Sequence, residues 1–182
     1  MKKEETNEKE EIQIVLDSYQ DIFSVFDARP YSQKALSDDL LYECKKAAVD
    51  KKEGFELKFL MAKRKRDKAL ELTIKKRLRN HFLRHFNIKK KEIRKIRKIG
   101  FLWCLFGGVA MFFGAYLSDY IHSNFANATL WSRLILIMLE PAGWWLFWEG
   151  LAKIFIEAKK EMPDYGFYKK MTHAYIYFED AE

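Results

Sequence analysis

At 182 residues the chain has room for one pair of membrane helices and one small globular domain, and for little else. Its net charge of +7 is unevenly spread: residues 1–56 carry a net of −5, whereas 63–98 carry +14 and call for an anionic neighbour, the nearest being a lipid surface. The two cysteines, Cys44 and Cys104, make neither a disulfide framework nor a zinc spacing, and the charged N-terminus lacks the apolar stretch of a cleavable signal peptide.

Behind a solvated tail over residues 1–9, Ile12, Val15, Leu16, Tyr19, Ile22 and Phe23 have the spacing of a short amphipathic helix. It should stop before Phe26-Asp27-Ala28-Arg29-Pro30, because proline restricts the residue ahead of it. Asp27, Arg29 and Pro30 form a candidate docking turn. The plainer reading is a fixed turn in which Arg29 reaches a carboxylate such as Asp38 or Asp39. Ser37 is a candidate N-cap, with Asp38 and Asp39 in the first turn of a helix striped by Leu40, Leu41, Cys44, Ala47 and Ala48. That helix ends over 51–54. Phe55, Leu57, Phe59 and Met61 then alternate with Glu56, Lys58, Leu60 and Ala62, which predicts a half-buried strand over 55–62. From Asp67 the period returns to 3.6, with Leu70, Ile74, Leu78, Phe82 and Phe86 at steps of four. One helix is predicted to run from there into the first apolar span, with a break near Asn87 as the alternative.

Residues 100–118 carry no charge, and at about 1.5 Å per residue they span roughly the hydrocarbon core of a bilayer. A second apolar stretch, 130–156, returns after a polar loop over 119–129. A hairpin buried in a soluble domain is the less favoured reading, because core helices seldom run so long without a charge. Lys89, Lys90, Lys91, Arg94, Lys95, Arg97 and Lys98 crowd the flank of the first span, while 119–133 holds one acid and one base. The excess of Lys and Arg puts both termini in the cytoplasm, those seven residues on anionic headgroups, and the Asn127-Ala128-Thr129 sequon outside. Downstream, 157–161 reads as a charged helical tail, Pro163 and 164–166 as a turn, and 173–178 as a strand that joins 55–62.

Phe26-Asp27-Ala28-Arg29-Pro30-Tyr31-Ser32, Leu36-Ser37-Asp38-Asp39 and Gly143-Trp144-Trp145-Leu146-Phe147-Trp148 resemble an uncharacterised family of small prokaryotic membrane proteins. In that family an F-D-x-R-P segment precedes a strand, a basic helix and a two-span hairpin with a tryptophan-rich second helix. The resemblance covers the chain from about Asp21 onward. It implies an architecture and no activity.

The fold class expected is a membrane α-helical hairpin of two transmembrane helices with a small cytosolic α+β domain. Residues 1–98 form the cytosolic region with its basic helix, 99–156 the hairpin, and 157–182 a cytosolic tail whose strand returns to the N-terminal part. Glu140, with Pro141 directly after it, is the candidate intramembrane functional residue, since a carboxylate at that depth costs about 2–3 kcal/mol on insertion scales. Gly107, Ala110, Gly114 and Ser118 form a small-residue groove for helix packing, onto which Trp144 and Trp148 are expected to pack. Glu149 and Lys153 are placed for an i,i+4 pair. His81 and His85, one turn apart, lack the general base of an HExxH site and read as packing. No cofactor is expected, and nucleic acid is disfavoured as a partner of the basic helix because that helix abuts a span. The function these features favour is non-enzymatic: a scaffold, docking or self-assembling subunit. An oligomeric channel or pore with Glu140 on its path is the alternative, and a lipid enzyme lacks a catalytic set.

Overall fold

The computed structural model describes residues 10–124 and 129–181, so the tail before Glu10 and the sequon at Asn127 lie outside the described residues. The chain is mostly helical, with one three-stranded sheet. It divides into two compact units, Met1–Ile88 with Asp164–Glu182, and Lys89–Pro163.

The first unit holds the sheet. Strand β1 (Glu11–Val15) lies parallel to β2 (Glu56–Met61), which lies parallel to β3 (Tyr175–Asp180), giving the order β1-β2-β3. The alternation read over 55–62 is present, with Leu57, Phe59 and Met61 all fully buried. The expected pairing of the C-terminal strand with 55–62 is also present, in the register Leu57↔Ile176 and Phe59↔Phe178. Against that face pack Leu40 and Cys44 of α1 (Asp38–Ala47), Ile74, Leu78 and Phe82 of α2 (Lys68–Asn124), and Phe167 and Met171 of α5 (Met162–His173). Burial pushes the Cys44 thiol up to about 12, so it is a core side chain rather than a nucleophile. The opposite face carries Lys58, which pairs with Glu11 at 2.7 Å and lies 3.6 Å from Glu179.

Three expectations are corrected here. Residues 11–15 are a strand, not the start of a helix, and only a 3-10 turn at Tyr19–Ile22 follows. Ser18 starts that turn by accepting from the Gln20 N–H, while the Asp21 carboxylate accepts from the N–H groups of Asp17 and Ser18. The segment read as a turn at 164–166 is helical, because Pro163 falls in the first turn of α5, where its missing N–H costs nothing. The polar loop after the first span is shorter than expected, since α2 continues through Asp119 to Asn124.

Helix α2 runs 57 residues with no break at Asn87. Asp67 caps it, its Oδ1 accepting from Ala69 N–H at 2.8 Å and Leu70 N–H at 3.3 Å. In the second unit α3 (Leu130–Ala152) continues through a π-helical segment, Lys153–Glu157, and the single turn α4 (Ala158–Lys160). Two helices are long and apolar enough to cross a membrane, and only 17% and 11% of their apolar windows are buried. A soluble core helix would show the reverse.

One polar cluster ties the sheet unit together. Glu71, 5% exposed, accepts from Arg66 Nε at 2.7 Å, Arg66 Nη2 at 3.1 Å and the Tyr19 hydroxyl at 3.2 Å. Arg66 also donates to Asp180 and to the Phe178 carbonyl. Replacing Arg66 by Ala leaves the Glu71 carboxylate buried without its guanidinium. The expected loss is about 3 kcal/mol of stability, read by urea unfolding of the solubilised chain. Unfolding midpoints that coincide for wild type and variant would refute the role.

Candidate functional site

The second unit is built on glycines seven residues apart. Ile93, Gly100, Gly107 and Gly114 of α2 are buried in succession, and so are Gly143 and Gly150 of α3. A seven-residue step returns to nearly the same helix face, drifting by only about 20°. A Cβ built on Gly107 would lie 2.5 Å from the Phe147 nitrogen, and one on Gly150 would lie 2.5 Å from the Gly100 carbonyl oxygen. Gly100 therefore meets Gly150, and Gly107 meets Gly143 and Phe147, so the helices run antiparallel in backbone contact. The seam is further closed by Cys104 Sγ, 3.5 Å from the Phe147 carbonyl, and by Trp103 edge-on to Trp145.

Of the groove residues read from sequence, Gly107 and Gly114 face α3, Ala110 is half-buried and Ser118 is exposed. Trp144 and Trp148 do not fill the groove. They are 48% and 59% exposed and stack on each other, because the backbone of α3 occupies the place they would need. The sequence reading missed Gly100, Gly143 and Gly150; the matched seven-residue glycine spacing on both spans is the signal that points to them, and the small-xxx-small pattern passes over it.

Beyond Gly107 the helices part. A Cβ on Gly114 would find only the Leu139 side chain, at 3.3 Å, and an open cleft of about 410 Å³ lies there between Gly114, Ser118, Leu136, Glu140 and Trp144. Glu140 is exposed and makes no ion pair or hydrogen bond with a described residue; Pro141 is exposed beside it within an unbroken α3. Lys153 pairs with Glu149 at 2.9 Å, as the i,i+4 spacing indicated, and also with Glu157 at 3.1 Å.

In the sheet unit, the turn containing Asp27, Arg29 and Pro30 is closed by local hydrogen bonds. Arg29 does not reach Asp38 or Asp39: it forks onto Asp27, with Nε 2.9 Å from Oδ1 and Nη2 2.7 Å from Oδ2. The nearer carboxylate wins because it also accepts from Ala35 N–H at 2.6 Å and Arg29 N–H at 3.0 Å. The Arg29 guanidinium, then those N–H groups, hold the Asp27 carboxyl well below the usual range. The Pro30 carbonyl accepts from Gln33 and Lys34, and a Phe23↔Leu36 bridge closes the loop. On this frame Phe26 is 96% exposed and Val25 79%.

Among the basic flank, Lys89 is bound to Glu92 and Glu161, and Lys90 is half-buried. Lys91, Arg94, Lys95, Arg97 and Lys98 are exposed and pair with no described residue. The His81 and His85 rings lie tilted with centroids 4.2 Å apart, Tyr168 stacks on His85, and no group of three metal-ligating side chains occurs among the described residues. Burial, then the charges of His85, Arg77 and Arg84, bring the His81 imidazole down to about 4, and its Nε2 is buried without a partner. No protein-family model, curated protein or solved structure matches the chain.

Two predictions follow from this geometry. Gly107→Leu must push the helices apart, at a cost of about 1–3 kcal/mol or more, whereas Gly108→Leu, with open space around it, is tolerated. Equal thermal unfolding of the two variants in detergent would contradict the seam. For His81 the folded state favours the neutral form, so its contribution is complete above about 6.5 and is lost as pH falls toward about 4. His81→Phe should flatten the fall in melting temperature across that window; parallel curves for the two proteins would dismiss the effect.

Proposed function

We propose that this chain is an integral membrane protein of the cell membrane whose sheet unit is a cytoplasmic docking module. In this reading α2 beyond Gly100 and α3 are the two spans, both termini are cytoplasmic, and the chain acts as a non-enzymatic scaffold that binds a protein partner or further copies of itself. The membrane part is supported by the apolar exterior of the helix pair, where Phe101, Phe106, Phe112 and Phe113 are all more than half exposed. The unpaired cations Lys91, Arg94, Lys95, Arg97 and Lys98 support contact with anionic headgroups on the cytoplasmic side.

The observation that carries docking is the turn at Asp27. A nearly fully exposed Phe26 sits on a loop whose backbone is tied to the Asp27 carboxylate by two N–H groups, those of Arg29 and Ala35, with the Arg29 guanidinium forked onto the same carboxylate. Such a side chain stabilises nothing in its own fold, and a rigid aromatic anchor loses little entropy on binding. The pore reading keeps one observation in its favour, the unpaired Glu140 in its cleft.

Cysteines placed at residues 125 and 179, with Cys44 and Cys104 replaced by Ala, test sidedness: residue 125 should label from outside and residue 179 should not. For function, the mass of the solubilised protein and ion flux in liposomes are compared across variants. Phe26→Ser should dissolve the assembly or complex with the melting temperature unchanged. A wild-type ion flux that disappears in Glu140→Gln, with the mass intact, would replace the scaffold by the pore.

A further inference from the structure

The sheet unit contains a second feature that the docking turn does not use. A cleft of about 370 Å³ opens beside β3, lined by Lys75, Lys76 and Arg79 of α2 and by residues 174–177. No carboxylate lines it. That separates it from the paired cations Lys58, Arg66 and Lys89, which have Glu11, Glu71 and Glu161, and its place beside a strand separates it from the unpaired cations over 91–98. Lys76 and Arg79 are exposed and make no ion pair or hydrogen bond with any described residue. Lys75 is held over the rings of Tyr177, at 5.8 Å, and Phe178, at 5.6 Å, so its charge is positioned without being neutralised.

The strand contributes a donor of its own. Tyr175 N–H bonds to the Phe55 carbonyl and Ala181 N–H to that of Met61, so the odd-numbered residues of β3 face β2. Ile176 then turns its N–H to the free edge, and Ile176 lines the cleft. Tyr175 and Tyr177, 54% and 39% exposed, line the same cleft. The Ile176 carbonyl faces the same edge, but an added peptide strand fits poorly, because the outward carbonyl after it, that of Phe178, is already taken by Arg66 Nη2 at 2.9 Å. A compact polyanion fits well. Three cations and a backbone N–H match the oxygens of one phosphoryl group, and the volume leaves room for a small organic part against the tyrosines.

We propose that this cleft binds a phosphate-bearing ligand, its oxygens held by Lys76 and Arg79 with Lys75 alongside. The same chemistry is offered by a soluble phosphorylated molecule and by a phospholipid headgroup. The inference stands on different residues from the docking turn and survives if that reading fails.

The test uses the full chain in phosphatidylcholine nanodiscs, titrated calorimetrically with inorganic pyrophosphate in one arm and dihexanoyl phosphatidic acid in the other. Wild type should bind one probe saturably at a single site: pyrophosphate identifies a soluble source, and phosphatidic acid alone a lipid one. The Lys76→Gln/Arg79→Gln variant should bind at least about tenfold more weakly, and Lys91→Gln/Arg94→Gln, outside the cleft, should bind as wild type does. If circular dichroism shows the double variant misfolded, Lys76→Gln alone serves. The proposal is overturned if neither probe saturates, if the cleft variant binds as tightly as wild type, or if the outside variant loses as much.

Discussion

Glu71 is the one charged residue buried among the described residues, and the sheet unit depends on how it is satisfied. An unpaired carboxylate there would cost several kcal/mol, so its partners are obligatory. They come from three distant parts of the chain: Tyr19 from the turn after β1, Arg66 from just before α2, and, through the same guanidinium, Phe178 and Asp180 of β3. The fork of Arg66 matches both Glu71 oxygens, which a lysine could not do. Hydrophobic burial supplies the larger part of the stability, but it is indifferent to small slips of register. The Arg66 contacts to Phe178 and Asp180 are not, and they fix where the last strand ends.

How much of this was legible depends on whether a segment satisfied one periodicity or two. Residues 55–62 alternate so strictly that only a strand fits, and Ile74, Leu78 and Phe82 recur at steps of four with exposed Lys76 and Asn80 between them, which a helix face fits and a strand face does not. Ile12 and Leu16 are four apart, which suits a helix face and equally the same side of a strand. What decided it is non-local: Ile12 and Ile14 pair with Leu57 and Phe59 across a parallel ladder, and local spacing carries no trace of that. The corrected turn at 164–166 has a different cause. Proline, aspartate and glycine together read as a breaker, yet proline and aspartate are also what a helix accepts in its first turn.

The candidate sites divide in the same way. Asp27, Arg29 and Pro30 were identifiable because proline and a short carboxylate make a turn by local chemistry, and the turn is there. The partner of Arg29 was not identifiable, since choosing Asp27 over Asp38 requires knowing that Asp27 also collects the Ala35 N–H. In the helix pair the small-residue pattern found half the seam. The rest became visible only when both helices were considered together, because a glycine is needed where the opposite backbone arrives, and each helix alone does not say where that is.

That pairing also accounts for the place of Glu140. Continuing the seven-residue step on α3 from Gly150 and Gly143 leads to Leu136, so the matched glycines run out opposite Gly114. There the nearest atoms to a built Cβ belong to the Leu139 side chain rather than to backbone. The two backbones no longer touch, and the cleft beside Glu140 opens there. In a bilayer a carboxylate on a tightly packed glycine seam would have no room for water and no partner. On the lipid-facing side it would cost about 2–3 kcal/mol. The cleft that opens opposite Leu136 is lined by both Glu140 and Ser118. The proposed scaffold and its pore alternative therefore both have to account for the same feature, a carboxylate at the wall of a cleft that exists because the matched glycines run out.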